Sequence, residues 1–124
     1  VARVLNQNPD QVFKTLVTVG ASKNYFVFMV PVEKELQLKE AAKAVREKSI
    51  AMIKEKELLP LTGYVHGGCS LIGMKKVFTT VIDETAILFD KIIFSGGKIG
   101  YFIELNPNDV EKVIPVKFID IVED

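Results

Sequence analysis

His66 and Cys69 are the only histidine and the only cysteine among 124 residues, and they stand three apart in TGYVHGGCSLIGMKK, Thr62 to Lys76. A thiol becomes a nucleophile when an imidazole lies within hydrogen-bond reach and a third group orients that imidazole. The spacing permits this contact without demanding it. The same stretch holds four of the eight glycines, and clustered glycines mark backbone that takes positive φ or lets another group come close. In that second reading the glycines do the work, and a buried structural cysteine sits near an exposed loop histidine. This is the commoner outcome for such a pair. One Cys and one His do not make a metal site, so neither metal nor cofactor is expected.

Two further stretches carry candidate chemistry. In QVFKTLVTV, Gln11 to Val19, Lys14 interrupts an apolar, β-branched run. An edge-strand or snorkelling lysine is the ordinary explanation. The sharper one is an ammonium at the rim of a pocket. In SGGKIG, Ser95 to Gly100, backbone amides could face a phosphate. The Walker spacing and its Lys-Ser/Thr pair are missing, which disfavours a nucleotidase, and a tight hairpin turn explains the glycines equally well. Lys75 and Lys76 are surface charge or a contact for a phosphate.

Composition narrows the partners. Sixteen basic and sixteen acidic residues give a formal net charge of zero. That argues against a protein that coats nucleic acid with a broad basic face and leaves room for local contact with a few phosphates. A single cysteine cannot close an internal disulfide, which points to a reducing, cytoplasmic setting. No apolar run approaches the ~18 residues of a membrane span and no signal-peptide pattern opens the chain, so no membrane association is expected. The chain starts at Val1 and not Met, which suggests processing or trimming.

The elements that must position these residues follow from periodicity. Val1 to Leu5 reads as the tail of a helix, and Asn8-Pro9-Asp10 as a turn. Gln11 to Val19 is a strand with Val12, Lys14 and Leu16 on one face and Phe13, Thr15, Val17 and Val19 on the other. Gly20 to Asn24 turns it into Tyr25 to Val30, a strand buried on both faces, so the two form a hairpin. An amphipathic helix over Leu38 to Lys48 and a short strand over Ser49 to Ile53 complete a β-α-β arrangement. Lys54 to Leu61 is a short helix limited by Pro60, with Gly63 placed to stop it in the left-handed conformation. Phe78 to Asp83 is a strand, Glu84 to Phe89 a helical turn, and Lys91 to Ser95 with Tyr101 to Leu105 a second hairpin. Asn106-Pro107 opens a short helix that ends before Pro115, and Val116 to Val122 is the last strand. The expected fold is one α+β domain over residues 1–124, with a mixed, largely antiparallel, barrel-like sheet and short flanking helices.

Taken together, NPDQVFKTLV (Asn8 to Val17), TGYVHGGCSLIGMKK, VID (Val81 to Asp83), SGGKIG and IEL (Ile103 to Leu105) resemble, in order and spacing, the YbaK/EbsC family. Its members are stand-alone relatives of the editing domain of bacterial prolyl-tRNA synthetase. The resemblance spans nearly the whole chain. It implies trans-editing in the cytoplasm: cleavage of the ester joining a wrong amino acid, most typically cysteine, to tRNA(Pro), with Cys-tRNA(Cys) a further substrate. The acceptor end of a mischarged tRNA and prolyl-tRNA synthetase are the implied partners. Lys14 matches the lysine of the family's pocket strand and is the implied catalytic residue. Thr15 matches the hydroxyl beside it. Gly67, Gly68 and Ser70 match the GGxS turn, and Gly96, Gly97 and Gly100 the second glycine loop, all as substrate-binding positions. Cys69 falls where relatives carry an aliphatic residue and His66 at a variable position, which demotes that pair.

An aminoacyl ester is already activated, so placement and oxyanion stabilisation suffice. For a cysteinyl ester the family mechanism uses the substrate's own thiol, which attacks the carbonyl and leaves as a cyclic thioester. Proline and cysteine are similar in size and poorly separated by an apolar pocket, hence a second, editing site. The alternatives are water attack on another mischarged tRNA such as Ala-tRNA(Pro), and a non-catalytic module that binds tRNA or the synthetase. The sequence departs from the family at Leu71 and Thr79, each replacing a proline, and at Phe102, where relatives have acidic or amide side chains. Phe102 bears on which amino acid or which end of the tRNA is accepted. Relatives also begin earlier, with a helix and strand that contribute to the pocket.

Overall fold

β-Branched and aromatic residues dominate Phe13 to Pro31, and they form the central hairpin. The computed structural model describes residues 9–63, 78–97 and 101–122; the expected helix tail at 1–5 lies outside them. A 3-10 turn, Pro9–Gln11, leads into β1 (Phe13–Gly20), which pairs antiparallel with β2 (Tyr25–Pro31), in register from Phe13↔Pro31 to Val19↔Tyr25. Helix α1 (Leu38–Ala44) then carries the chain to β3 (Ile50–Met52), which pairs antiparallel with the far edge of β1. Helix α2 (Glu55–Thr62) follows. Strands β4 (Thr79–Asp83) and β7 (Val116–Ile119) extend the sheet in parallel beyond β2, giving the order β3-β1-β2-β4-β7. Between them lie a 3-10 turn (Glu84–Leu88), the antiparallel pair β5 (Ile92–Ser95) and β6 (Phe102–Leu105), and helix α3 (Pro107–Val113).

Alternation along the strands divides the core in two. Phe13, Val17, Val27, Met29 and Ile82 share a cluster with Ile92, Phe94 and Val110, so β5, β6 and α3 cover that face. Phe26, Phe28, Val30 and Val81, joined by Leu16, pack instead against Ala41 and Ala42 of α1 and against Ile121. Residues Phe26 to Val30 are all buried, as the apolar run predicts for a central strand.

The sheet is mixed, but it does not close as a barrel. It stays open, with β3 and β7 at its edges, and the small β5–β6 sheet joins β1 through an isolated parallel bridge between Val12 and Ile93. β3 is three residues long and β5 meets the chain at Val12, just before β1, so among the described residues no continuous ladder runs between them.

Helix α1 stops at Ala44, four residues short of its expected end. Arg46 takes φ 59°, which ends the helix without a glycine. The carboxylate of Glu47 is thereby delivered to the β1–β2 turn, where it accepts from Ser22 N at 3.0 Å and Ser22 Oγ at 2.9 Å. Gly20 makes room for it, since a Cβ there would overlap the Glu47 side chain. Gly63 takes φ 86° after α2, as expected of a left-handed stop. Asn106 caps α3 by accepting from Asn108 N at 2.9 Å, with Pro107 in the first turn.

Candidate active site

The site is built where the far edge of β1 changes partners. Val12 O accepts from Val32 N on the β2 side, whereas Val17 O accepts from Ile53 N on the β3 side. Peptide groups alternate along a strand, so Phe13, Thr15 and Val17 direct theirs to the edge away from β2. β3 takes that edge at Thr18–Gly20, and β5 touches it at Val12. Between the two, over Lys14 to Leu16, no strand among the described residues covers it. Thr15 directs its N–H and C=O into this stretch, where no described strand receives them.

On one face of this gap stands Lys14. Val12, two residues before it, clusters with Ile93, Val32 and Phe102. The parallel direction of the Val12–Ile93 bridge carries β5 on toward Lys14, and Ser95, two residues beyond Ile93, projects from the face that Ile93 does. Ser95 is paired with Phe102. The neighbouring surface on this face is therefore the apolar Val12 cluster, and β5 runs on from it to Ser95 and the Gly96–Gly97 turn. Lys14 keeps 29% of its side chain exposed, and its Nζ stands 3.7 Å from Glu35 Oε1. At that distance the contact is Coulombic, without a hydrogen bond, and with Glu35 83% exposed it is worth about 0.2–1 kcal/mol.

Thr15 points the other way, onto the face that carries Phe13 and Val17. Its Oγ1 is buried and finds no hydrogen-bond partner. An orphaned hydroxyl costs about 1–3 kcal/mol, which asks for an explanation.

The second glycine loop has structural reasons for its composition. Gly97 takes φ 104°, a left-handed value that side chains resist. Gly96 N donates to Tyr101 O at 2.8 Å, closing the β5–β6 hairpin, and a Cβ on Gly96 would press on Ile103 at 3.3 Å. Of the expected site residues, Lys14 and Thr15 stand on opposite faces of β1 along this edge, and Gly96 and Gly97 form the turn after β5, the strand whose Ile93 bridges to Val12. Gly67, Gly68, Ser70 and Gly100 lie outside the described residues, as do His66, Cys69, Lys75 and Lys76. Glu35 was not legible as a site residue. Its pairing with Lys14 across 21 positions leaves no local signal in the sequence.

Residues 1–113 match the family model of the aminoacyl-tRNA editing domain. The chain belongs to the aminoacyl-tRNA editing domain family. EbsC of Enterococcus faecalis, assigned as a Cys-tRNA(Pro)/Cys-tRNA(Cys) deacylase, is 43% identical over 98% of this chain and 74% of its own length. Among solved structures, a protein assigned as a trans-editing enzyme for prolyl-tRNA synthetase superposes with a TM-score of 0.88 at 22% identity, covering 99% of this chain and 77% of that one. A scaffold protein from a study of epitope backbone grafting superposes with a TM-score of 0.91 at 20% identity, over 99% of this chain and 78% of the other. Both superpositions show the editing-domain fold. Within it, Lys14 lies on the stretch of β1 that no described strand flanks on the side away from β2. Among the described residues, no helix is long and apolar enough to cross a membrane.

Proposed function

We propose that this protein is a trans-editing deacylase that removes cysteine from Cys-tRNA(Pro), and from Cys-tRNA(Cys), in the cytoplasm. The observation that carries this reading is the placement of Lys14: an ammonium on a stretch of strand edge that no described strand covers, next to the apolar Val12 cluster, in a chain of the editing-domain family. The floor of Val12, Ile93 and Phe102 suits a small apolar aminoacyl side chain. The ammonium suits the carbonyl oxygen as it gains negative charge. The Thr15 peptide group would offer hydrogen bonds at this edge, and its orphaned Oγ1, on the face opposite Lys14, would serve a different part of the substrate from the ester carbonyl.

No enzyme nucleophile is required. The thiol of the cysteinyl group loses its proton, and its sulfur attacks the ester carbonyl. The C–O bond to the ribose then breaks, and the ribose oxygen takes up a proton. The four-membered thioester that leaves is hydrolysed by water. Lys14 would hold the carbonyl oxygen through this exchange. The amides of Gly67 to Ser70 and of Gly96 to Gly100 would hold the carbonyl and the terminal adenosine. Prolyl-tRNA synthetase would present the tRNA, because a chain of zero net charge gains little from long-range attraction to it. Residues 1–124 would form a single editing domain.

Single-turnover hydrolysis of Cys-tRNA(Pro) tests the assignment. Lys14→Ala is expected to lose at least a hundredfold in rate, the usual scale for removing an oxyanion donor, with the circular dichroism spectrum unchanged. A folded variant of full activity removes Lys14 from the mechanism. Cys69→Ala is expected to stay active, and loss of activity there would restore the Cys-His nucleophile. Comparison with Ala- and Ser-tRNA(Pro) separates thiol-assisted cleavage from attack by water.

A further inference from the structure

The ion pair at the rim of the site involves a residue that no catalytic role for Lys14 requires. Glu35 is solvent-exposed, yet its backbone is pinned on both sides. Val32 N donates to Val12 O and Lys34 N to Pro31 O before it; after it, Leu36 bridges to Val122 and Gln37 N donates to Ile121 O. The carboxylate is thus carried on a fixed loop that leans over the Lys14 face of β1. We propose that Glu35 is the receptor for the α-ammonium group of the aminoacyl ester, acting with Lys14 as a two-point clamp. This rests on the reading that Lys14 holds the ester carbonyl.

The match is one of charge and of length. An aminoacyl ester carries a positive nitrogen and, three bonds away, a carbonyl oxygen that turns negative during the reaction. Bonds of about 1.2–1.5 Å place those two atoms no more than about 3.6 Å apart. Lys14 Nζ and Glu35 Oε1 are 3.7 Å apart. The carbonyl oxygen can accept from Lys14 while the ammonium donates to Glu35, each at an ordinary hydrogen-bond distance of about 2.8 Å. The four atoms then form a rectangle of alternating charge, in which neither protein group loses its counter-ion. In the free protein the pair holds itself together at a distance too long for a hydrogen bond, so little is broken when the ester enters. The clamp selects a free α-amino group. Peptidyl-tRNA and other N-acylated esters present an uncharged amide in its place, and the exposed carboxylate gains nothing from them.

The experiment compares Cys-tRNA(Pro) with its N-acetyl derivative, which keeps both the thiol and the ester, using wild type, Glu35→Gln, Glu35→Asp and Lys14→Ala. Wild type is expected to favour the free amine in kcat/KM by about tenfold or more, the scale of a hydrogen bond to a charged group. Glu35→Gln is expected to lose that preference, by slowing on the free amine and not on the N-acetyl ester, and Glu35→Asp to recover part of it. An unchanged preference in Glu35→Gln, or an equal loss on both substrates, overturns the clamp while leaving Lys14 in place. A Lys14→Ala protein as active as wild type removes Lys14 from the mechanism and the clamp with it, and a wild type inactive on both substrates overturns the deacylase reading as well.

Discussion

Thr15 shows what a single residue in this site gives up. Its buried hydroxyl has no partner, so Thr15→Val keeps the shape and removes an unsatisfied group. We expect that variant to be as stable as wild type or more stable, by up to about 1–3 kcal/mol in urea unfolding. We also expect it to lose about tenfold in kcat/KM toward Cys-tRNA(Pro). A gain in stability at the expense of activity is the usual sign of a polar group kept for a ligand. At this scale the sequence was partly legible. Lys14 was visible as a charge inside an apolar strand, for which an edge or snorkelling lysine is the ordinary explanation; the family resemblance singled it out, and alternation placed it on the face opposite Thr15. Phe102 drew notice as a departure from the family pattern, and it lies in the apolar floor two strands from Lys14. Glu35 escaped because its partner is set by the path of a loop and not by any local period.

Among the elements, Asp83 is the residue on which several depend. It is fully buried at the end of β4. One carboxylate oxygen accepts from Thr85 N and Thr85 Oγ1 and so caps the 3-10 turn; the other accepts from Ile121 N, tying down the chain after β7. Asp83→Ala leaves two backbone donors without acceptors and is expected to cost about 2–4 kcal/mol, read as a lowered midpoint in urea. Asp83→Asn keeps one acceptor oxygen and should lose less. The hairpins, the α3 cap and the left-handed stop at Gly63 could be read from sequence because each rests on local chemistry: alternation, an Asn-Pro start, a glycine after a helix. The early end of α1 could not. It depends on a positive φ at Arg46 and on Glu47 reaching a turn 25 residues away. Barrel closure was likewise beyond local rules, because it depends on whether β3 and β5 continue each other along β1.

Across the whole molecule, sixteen positive and sixteen negative charges cancel, and this sets how the protein can engage RNA. If only the acceptor end is gripped, few counterions are released on binding. The slope of log affinity against log salt for tRNA should then be shallow, on the order of 1–2 in magnitude, as about 0.7 per neutralised phosphate gives for a single strand. A slope several times steeper would mean that the body of the tRNA is held as well.

The isolated bridge between Val12 and Ile93 also has a consequence in time. β1 and β2 share a full ladder, whereas β5 is stitched to β1 at one point beside the gap. A seam between two hydrogen-bonded units is where partial opening requires the least disruption. Amide protons of β5 and β6 should therefore exchange with deuterium sooner than those of β2. A non-hydrolysable aminoacyl-adenosine seated across the seam should slow exchange in β5 and β6 while leaving β2 as it was. The gap would then act as a clasp, and the substrate would lengthen the life of the closed form it needs.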